Sequence, residues 1–550
     1  MNKELIIHTF DKTFVFEQKE VVLVKDVLES LQNKCPYPIV GALEGYQLLL
    51  DQDRLERSQE LTLLDMRSSL GNRMVQRSLA FVYSYAVHEV LGYDTKLLIA
   101  NAISKGVFTS VRSNNLTQEV ISKIESFMKS VQQPILQRRM RRLELISWAK
   151  EHQLKEDLVL LESNPDLMEG YACELGEERH IFFEPLAFHT KVLPPFSCQK
   201  YRSGILLRYP SPEDPSRLPE FEEEPTLYDA FSKETQWEKL LGVEYSYDLN
   251  RRFKEGEGKD LILLSEALHE MRIAELAKEI HSTKKQIILI AGPSSSGKTS
   301  FAKRLINQMK VLGLKPLYLG TDDYFVDRAD MVPNKDGKLD FESLDAVDLD
   351  LFNRQMNELL EGKEVDIPSF DFIQGKKIFG TRFTTRSVNQ PIVIEGIHGL
   401  NPQLSQQIVD DIKFKIYISP LTQLNIDCLQ RIPTTDVRLL RRILRDNRTR
   451  GYSAEKTLLS WPSVRHGEDV NIFPFNSCAD AFFNTQTIYE LSLLKPMVEP
   501  LLKEVLSHPE IGSEAKRLLN LLAFFSPVSE VDWVPNNAIM REFVGGSILF

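Results

Sequence analysis

The first 65 residues alternate short apolar stretches with one amphipathic segment. Apolar residues between Val24 and Leu31 recur every three or four positions, which is the spacing of one face of a helix. The apolar stretches on either side have the length and the flanking residues of strands. These stretches are residues 5–9, 13–16, 39–42 and 47–50. The pattern predicts a small strand–strand–helix–strand–strand unit over residues 1–65.

A proline- and acid-rich stretch marks a boundary further along the chain. Residues 209–225 have the composition of a surface linker. Two helical patterns follow, over residues 228–241 and 261–280. We therefore expect residues 66–215 to form a second domain and residues 216–284 to form a linker and a helical connector.

Beyond residue 285 the pattern is that of an α/β domain with buried strands. A continuously apolar run leads into a glycine-rich loop, after which Phe301, Leu305 and Met309 recur at helical spacing. The pattern predicts a mostly parallel sheet with crossover helices over residues 285–505, followed by a C-terminal tail over residues 506–550. The runs of strand type are residues 286–291, 316–320 and 391–396.

Composition is consistent with a globular chain of several domains. At about 150 residues per domain, the 550 residues, 42% of them hydrophobic, correspond to three or four domains. The 67 basic and 78 acidic residues give a net charge of −11, which argues against a protein that coats nucleic acid or an anionic membrane. The N-terminus lacks a secretory signal, and no apolar run approaches the roughly 20 residues of a membrane span. The five scattered cysteines suit a reducing compartment, so we expect a cytoplasmic protein without membrane contact.

The glycine-rich loop carries a phosphate-binding motif. Its sequence reads G-x-x-x-x-G-K-T between a predicted strand and a predicted helix. Glycines let the backbone curl so that N–H groups and a helix N-terminus face nucleotide phosphates. Lys298 adds positive charge, and the hydroxyl of Thr299 can bind Mg²⁺. The predicted nucleotide-binding residues are Gly292, Ser294, Ser295, Ser296, Gly297, Lys298, Thr299 and Ser300.

Acidic residues follow the other two predicted strands of this domain. Asp322 comes just after residues 316–320, where its carboxylate is placed to take the proton of an attacked hydroxyl. A second interpretation of Asp322 and Asp323 is that they cap a helix or a turn. Glu395 lies at the end of the predicted strand 391–396, and we predict that it binds Mg²⁺ together with Thr299.

Six arginines fall within thirteen residues near the end of the α/β domain. Apolar residues at Val437, Leu440 and Leu444 keep an inward face, so the segment is predicted to be helical. A solvated basic face is one interpretation. We favour a mobile lid that closes over the triphosphate and neutralises developing charge, with Arg442 and Arg445 as the catalytic candidates beside Lys298 and Asp322. The six are Arg438, Arg441, Arg442, Arg445, Arg448 and Arg450.

Taken in order, these motifs resemble the uridine kinase and phosphoribulokinase family of P-loop kinases. Residues 292–299 correspond to that family's P-loop, residues 341–348 to its acceptor-side segment, residues 394–397 to its second acidic strand and residues 436–446 to its lid helix. The resemblance implies an enzyme that uses ATP and Mg²⁺ to phosphorylate a hydroxyl of a uridine- or cytidine-like nucleoside. It assigns the acceptor to Asp322, Tyr324, Asp345, Phe370 and Asp371. Asp345 and Asp348 are weaker candidates, and a helix-cap or surface position is the alternative interpretation of both.

One departure from the family limits the prediction of the acceptor. Uridine kinases carry Pro-x-Tyr-Asp-Phe followed by a histidine and an arginine that help to bind the nucleoside, whereas this chain has Pro368-Ser-Phe-Asp-Phe and then Gly375 at the histidine position. Loss of an imidazole removes a hydrogen-bonding group, and such groups discriminate strongly between polar substrates. Phosphorylation of another metabolite therefore stays open as an alternative.

Two further resemblances concern the N-terminal half. Residues 45–65 resemble the β-grasp TGS domain found in threonyl-tRNA synthetases and some GTPases. Residues 77–109 resemble the α+β second domain of threonyl- and alanyl-tRNA synthetases, which hydrolyses mischarged tRNA. Arg77 and Phe81 occupy the positions of that family's two motif histidines, and neither side chain can act as an imidazole ligand or base. We predict a degenerate domain without editing activity.

A zinc site in this N-terminal half is disfavoured by the spacing of its cysteines and histidines. The intervals of seven, nine and nine residues match no standard zinc motif. The four residues are Cys173, His180, His189 and Cys198.

Two other classes of function were weighed against a kinase. A regulatory GTPase needs an N-K-x-D motif, and residues 334–337 fail at the fourth position and lie too near the P-loop. A nucleotide-dependent RNA-binding sensor would use the two N-terminal domains to contact RNA, which the net negative charge makes less favourable. The N-terminal half could equally regulate the kinase or mediate homo-oligomerisation.

Overall fold

The computed structural model describes residues 3–18, 21–55, 60–113, 115–332, 340–422 and 424–550. Residues 334–337, weighed above as a guanine-binding motif, lie outside the described residues. Within the described ranges, no helix is both long enough and apolar enough to cross a membrane.

The first unit is a mixed sheet with one helix packed on it. Its strand order is β2-β1-β7-β4-β5, with β7 parallel to β1 and the other neighbours antiparallel. Helix α1 buries the apolar face that the sequence predicted. This is the order expected of a β-grasp sheet, while the TGS identity stays a prediction. The elements are β1 (Lys3–His8), β2 (Thr13–Gln18), β3 (Val22–Leu23), α1 (Val24–Leu31), β4 (Ile39–Glu44), β5 (Gln47–Leu49), β6 (Arg54–Leu55) and β7 (Glu60–Asp65).

The second unit combines helices with two antiparallel sheets, as predicted for an α+β domain. One sheet has the order β13-β14-β9-β8 and the other β10-β11-β12. Helix α2 buries most of its length between them. The elements are α2 (Ser69–Leu91), β8 (Leu97–Ile103), β9 (Gly106–Val111), α3 (Gln118–Ser130), β10 (Leu136–Arg141), α4 (Arg142–Glu151), α5 (Lys155–Ser163), β11 (Glu169–Leu175), β12 (Glu178–Phe182), β13 (Ser197–Tyr201) and β14 (Gly204–Arg208).

The two motif positions that lack histidine in this domain are both occupied by structural contacts. The guanidinium of Arg77 pairs with Glu184 and donates to the carbonyl of Pro185 at 3.1 Å. Phe81 is fully buried and packs edge-to-face on Phe182. These side chains fill the place of an imidazole pair with packing and an ion pair.

The connector contains the two predicted helices and a third short one between them, namely α6 (Pro225–Leu241), α7 (Ser246–Lys254) and α8 (Gly258–Thr283). Helix α8 lies along the α/β domain, where Arg304 pairs with its Glu266 and Glu270.

The α/β domain has the predicted parallel sheet, in the order β16-β21-β15-β22-β23 with every neighbouring pair parallel. Strand β15 is completely buried because its residues are continuously apolar. The elements are β15 (Ile287–Ala291), α9 (Lys298–Val311), β16 (Leu317–Gly320), α10 (Leu349–Leu360), β17 (Glu364–Asp366), β18 (Ser369–Asp371), β19 (Lys376–Ile378), β20 (Phe383–Thr385), β21 (Ile392–Glu395), β22 (Lys413–Ser419), α11 (Thr434–Arg450), α12 (Ala454–Asn471), β23 (Ala481–Asn484), α13 (Glu490–Lys503), α14 (Gly512–Leu522) and α15 (Arg541–Val544).

The last 45 residues differ from the predicted tail because they are part of the core. Ile539, Met540 and Phe543 are fully buried and belong to the same hydrophobic cluster as β15 and α9. Apolar residues at helical spacing in α14 pack on α13. The C-terminal segment is therefore a structural component of the α/β domain.

Candidate functional site

The glycine-rich loop has the shape that the phosphate-binding prediction requires. It leaves the buried strand β15 and enters α9 through Gly297, whose φ of 84° lies in the left-handed region. A side chain on Gly292 would lie 2.2 Å from the carbonyl oxygen of Ile418 on β22. Both glycines are thus dictated locally, one by backbone conformation and one by close approach to the neighbouring strand.

Several side chains of the loop have no protein partner. The hydroxyls of Ser295 and Ser296 are buried without a hydrogen bond within the described residues. The ammonium of Lys298 folds back on the loop and donates to the carbonyl oxygens of Gly292 and Pro293 at 2.9 and 3.3 Å. Ser300, predicted to bind nucleotide, instead donates to Glu542 at 2.6 Å. The lysine and the free hydroxyls remain available to phosphate oxygens.

Thr299 and Glu395 meet at the edge of the sheet, as predicted. The Thr299 hydroxyl donates to a Glu395 carboxylate oxygen at 3.3 Å. Burial raises the pKa of Glu395 to about 7, Lys298 opposes this shift, and the carboxylates of Asp322 and Glu542 add to it. A carboxyl group with so little neutralisation from the protein suits a site that receives a cation.

Asp322 lies in a short turn, 321–324, directly after β16. Its side chain is accessible from the cleft, but the surrounding protein reduces its hydration and raises its pKa, Lys298 opposes that shift, and Asp323 adds to it. Glu395 follows the neighbouring strand β21, so both carboxylates end adjacent parallel strands. A carboxyl with a raised pKa beside a phosphate-binding loop has the property that a general base needs.

The residues fit Mg²⁺ and a nucleoside triphosphate by these criteria. Magnesium usually keeps several waters and takes one or two protein oxygens together with substrate phosphates. Thr299 and Glu395 supply such a pair, and no cluster of three or more acidic, histidine or cysteine side chains that could hold a metal occurs in the described part of the chain. The unpartnered loop hydroxyls and Lys298 are the donors that phosphate oxygens require.

The arginine helix α11 differs from the predicted mobile lid. Arg438 and Arg441 are almost completely buried, and each pairs with an equally buried carboxylate, Glu468 and Glu490 respectively. The same two arginines reach the P-loop, with Arg438 donating to the carbonyl oxygen of Ser294 at 3.0 Å. Buried ion pairs of this kind hold a helix in place, so α11 is docked on the loop.

The two predicted catalytic arginines lie on the same side of α11, one turn beyond Arg438 and Arg441. Arg442 donates to the Ser294 hydroxyl at 2.7 Å, which places its guanidinium at the mouth of the P-loop. Arg445 pairs with the buried carboxylate of Asp446 at 2.8 Å. Arg442 is therefore brought to the site directly, whereas Arg445 is held beside it by Asp446.

The C-terminal segment completes the far side of the loop, which sequence patterns did not indicate. A methyl carbon of Ile539 occupies the space 2.6 Å from where a side chain on Gly297 would begin. Arg448 of α11 donates to the carbonyl oxygens of Glu542 and Phe543. A local signal of this segment is the glycine pair 545–546, whose φ values of 98° and 74° let the backbone pass close to Arg448 and Arg541.

Four of the predicted acceptor residues make contacts within the protein, and their role at the acceptor stays a prediction. Tyr324 is fully buried and donates to Gln355 at 3.0 Å. Phe370 packs in an aromatic cluster. Asp371 accepts the backbone N–H groups of Ile373 and Gln374, and the exposed Asp345 lies in a short helical turn near Ser343. The Asp371 carboxylate therefore stabilises a turn, because it accepts N–H groups that the turn leaves free.

Asp348, one of the two weaker acceptor candidates, caps α10. It accepts the backbone N–H of Leu351 at 3.0 Å and pairs with Lys377. Burial opposes ionisation, but these two contacts lower the pKa of Asp348 overall.

The glycine at the family's histidine position is required by the backbone. Gly375 has a φ of 69°, and a side chain there would lie 2.7 Å from Cβ of Arg328. The carbonyl oxygen of Gly375 also accepts the backbone N–H of Arg328 at 2.7 Å. A histidine does not fit this turn, so the acceptor site must use other groups.

Three side chains that the sequence patterns did not single out lie near the acceptor-side segment. Arg382 pairs with Asp323, the neighbour of the proposed base, at 2.7 Å. Burial raises the pKa of Glu342, which Glu468 also raises and Arg442 lowers. His398 is 1% exposed, neither ring nitrogen has a hydrogen-bond partner within the described residues, and burial lowers its pKa to about 4. A neutral imidazole offers one donor and one acceptor.

The α/β domain is similar to known kinases. The Phosphoribulokinase / Uridine kinase family matches residues 287–491. A uridine kinase of Lactobacillus helveticus is 27% identical over 172 residues, which are 31% of this chain and 72% of that protein. A uridine kinase of Staphylococcus aureus is 28% identical over 196 residues, which are 35% of this chain and 84% of that protein.

A solved structure of a possible uridine kinase from Bacillus stearothermophilus covers 38% of this chain and 97% of its own, with 20% identity and a TM-score of 0.27. The matched family segment begins in β15 and ends in α13, so it contains the P-loop, Asp322, Glu395 and α11. Residues 287–491 are thus a phosphoribulokinase/uridine kinase family domain within a longer chain.

Proposed function

We propose that this protein transfers the γ-phosphoryl group of ATP to a hydroxyl of a small nucleoside-like acceptor. The observation that carries the proposal is the convergence of Lys298, the Thr299–Glu395 pair and Asp322 at one edge of a parallel sheet. The uridine kinases that the chain resembles over this domain support a nucleoside acceptor.

In the proposed reaction each group has one task. Asp322 takes the proton of the acceptor hydroxyl as its oxygen attacks, because its raised pKa gives it affinity for that proton. Lys298 and Arg442 stabilise charge on the transferred phosphoryl group. Thr299 and Glu395 would hold Mg²⁺, which neutralises phosphate charge when bound.

The glycine at position 375 supports a second acceptor class. Without an imidazole in that turn, the polar groups along the acceptor-side segment are Arg382 beside Asp323, Glu342 beside Asp322, and His398. A cation, an acid and a neutral imidazole can bind a polyhydroxylated metabolite as well as a ribose. A kinase of another hydroxylated metabolite is therefore the second candidate.

The proposal is tested by ADP release from Mg·ATP across nucleosides, sugars and sugar phosphates, with a reaction lacking acceptor as blank. Acceptor-dependent turnover with uridine or cytidine supports the nucleoside kinase, and turnover with another acceptor supports the second candidate. Nucleotide binding without stimulation by any acceptor would contradict both and favour a nucleotide-dependent sensor.

A variant at the proposed base gives the sharper result. We expect Asp322→Asn to lower kcat by about 10²–10⁴ while the dissociation constant for Mg·ATP changes little, because the amide cannot accept the proton. Asp330→Asn, the same change at an exposed position of the following loop, serves as the matched control and should leave kcat unchanged. Equal kcat values for Asp322→Asn and the parent would remove Asp322 from the mechanism.

A further inference from the structure

A second cavity, of about 670 Å³, lies where three parts of the chain meet. The second domain forms most of its wall, helix α6 of the connector forms another part, and Cys428 and Leu429 of the kinase domain complete it. No P-loop residue lines it. The volume falls within the range of about 300–1,000 Å³ that is usual for small-molecule sites.

One wall presents a buried amide without a partner. Asn101 is 7% exposed, lines the cavity, and its side chain makes no hydrogen bond to any described residue. It lies in a bulge of β8, where the register with β9 shifts between Ile99 and Ala102. Bulges redirect side chains, and an amide left unpaired next to a cavity indicates that a bound molecule supplies the missing bonds.

A carboxylate without a partner lies on the same cavity. Glu156, in the first turn of α5, forms no ion pair or hydrogen bond within the described residues. Glu156 is exposed at the wall of the cavity. Reduced hydration and the nearby carboxylate of Asp427 raise the pKa of Glu156, while His180 and Lys96 oppose the shift. A carboxylate that lines a cavity without an ion pair can pair with a cation.

The other acids and bases at this end of the cavity are largely neutralised among themselves. Glu178 accepts from Ser84 at 2.5 Å and from His88 at 2.7 Å. The buried ring of His180 lies between Asp157 and Asp427, at 3.3 and 3.4 Å. Burial opposes protonation of His180, but these two acids raise its pKa well above the ordinary value.

The walls away from Glu156 are aromatic or carry further free charges. Phe108, Tyr228 and Phe231 line the cavity from β9 and α6. Aromatic faces attract organic cations and also pack against apolar bodies. Lys96 and Lys239 line the cavity without an ion pair in the described part of the chain, so an anionic arm of a ligand would also find a partner there.

We propose that this cavity binds a small organic ammonium ion whose nitrogen pairs with Glu156 and whose polar body hydrogen-bonds to Asn101. The ammonium group could belong to a simple amine or to a zwitterion that carries a carboxylate as well. Lys96 distinguishes these two classes of ligand, because its ammonium repels a simple amine and attracts the carboxylate of a zwitterion.

The cavity is linked to the kinase domain by hydrogen bonds at the β8 bulge. The backbone N–H of Ile99 donates to the carbonyl oxygen of Cys428 at 2.8 Å. The side-chain amide of Asn425 donates to the carbonyl oxygen of Ile99 at 2.7 Å. Helix α11, which carries the arginines at the P-loop, begins at Thr434 just beyond this segment. A ligand bound to Asn101 therefore stabilises strand β8, which hydrogen-bonds to the segment that precedes α11. Coupling between ligand binding and nucleotide binding follows, and it rests on the proposed kinase function.

The binding step is tested without nucleotide, so its result is independent of catalysis. Calorimetric titration of the full chain uses putrescine, tyramine and the standard amino acids, with N-acetylated amino acids as uncharged-nitrogen controls. We expect at least one free amine to bind and its acetylated form not to bind. Absence of binding by every amine up to about 10 mM would overturn the site.

Variants locate the ligand. Glu156→Gln should raise the Kd of the bound amine at least about tenfold, the scale of one charge-assisted hydrogen bond. Glu162→Gln is the matched control, because it makes the same change at an exposed position of the same helix. Equal Kd values for Glu156→Gln and the parent would overturn the assignment. Lys96→Met should weaken zwitterions and strengthen simple amines, which identifies the source.

The coupling step is a separate measurement. The Kd for Mg·ATP is determined with and without a saturating amine, and a change of about fivefold or more in either direction supports coupling. The Kd of the amine should then change by the same factor when it is titrated with Mg·ATP present. An unchanged Kd would overturn the link to α11 while leaving the binding result intact.

Discussion

At the scale of single residues, the site depends on carboxyl groups that the protein leaves poorly neutralised. Asp322 and Glu395 follow neighbouring strands, and burial raises the pKa of both. Their sequence positions, each just after a short apolar run, were sufficient to predict them. The polar atoms of Tyr324 and Asp371 are used by a core contact and a turn, so their assignment to the acceptor stays a prediction.

The pKa of Glu395 gives a prediction about pH. The folded pKa of about 7 lies above the ordinary value of 4.5, so ionisation disfavours the folded state and stability falls as pH rises from about 4.5 to 7. Bound Mg²⁺ needs the ionised form, so metal affinity should fall as pH drops below 7. Glu395→Gln removes both effects, because the amide does not ionise.

The measurement compares Glu395→Gln with the parent at pH 5 and pH 8. We expect the variant without nucleotide to melt higher than the parent at pH 8 and near it at pH 5, and its Mg²⁺ requirement at fixed ATP to be higher and less dependent on pH than that of the parent. A parent whose Mg²⁺ affinity is the same at pH 6 and pH 8 would contradict this role.

At the scale of elements, neighbouring arginines on one side of α11 have different contacts. Arg438 and Arg441 anchor the helix through Glu468 and Glu490. Arg442, one turn after Arg438, donates to the P-loop hydroxyl of Ser294. The density of arginines predicted a helix over the nucleotide, but periodicity could not distinguish anchoring arginines from catalytic ones, since their acidic partners lie far away in the chain.

The anchoring arginine Arg441 and the loop-contacting arginine Arg442 predict opposite effects of substitution. Arg441→Met leaves the carboxylate of Glu490 buried without a partner and should lower the free energy of unfolding of this domain by about 3–5 kcal/mol. Arg442→Ala should cost little stability and should lower kcat by about 10²–10³, because charge stabilisation on the phosphoryl group is lost.

Denaturant midpoints and kcat for both variants check this division. The double variant Arg441→Met with Glu490→Met is the control, and it should recover most of the lost stability because no unpaired charge remains. A full loss of kcat with unchanged stability in Arg441→Met would contradict the anchoring role of Arg441.

At the scale of the whole molecule, distant segments of the chain complete the site and connect the domains. Asp436, in the first turn of α11, accepts from Arg73 of the second domain and from Arg517 of α14. Burial opposes ionisation of Asp436, but the two arginines hold its pKa far below the ordinary value. Movement between the domains must break this buried pairing, so the second domain is mechanically joined to the arginine helix.

The C-terminal segment provides a matched pair of substitutions. Ile539 is fully buried against Gly297, whereas Ile548 is 66% exposed. We expect Ile539→Ala to lower the free energy of unfolding by about 2–5 kcal/mol and to weaken Mg·ATP binding, because the cavity loosens the P-loop. Ile548→Ala should change neither quantity. An unchanged Kd for Mg·ATP in Ile539→Ala would show that the C-terminal segment does not support nucleotide binding by the P-loop.

The sequence by itself determined the parallel sheet, the strand–loop–helix of the P-loop and the positions of Lys298, Thr299, Asp322 and Glu395. These features are local, because a run of apolar residues, a glycine and a spacing of three or four are fixed within about a dozen residues. Only the tertiary structure decided that α11 is docked, that Ile539 supports the loop and that the cavity beside Asn101 is formed by three parts of the chain. Those outcomes depend on contacts between residues a hundred or more positions apart, which no local pattern encodes.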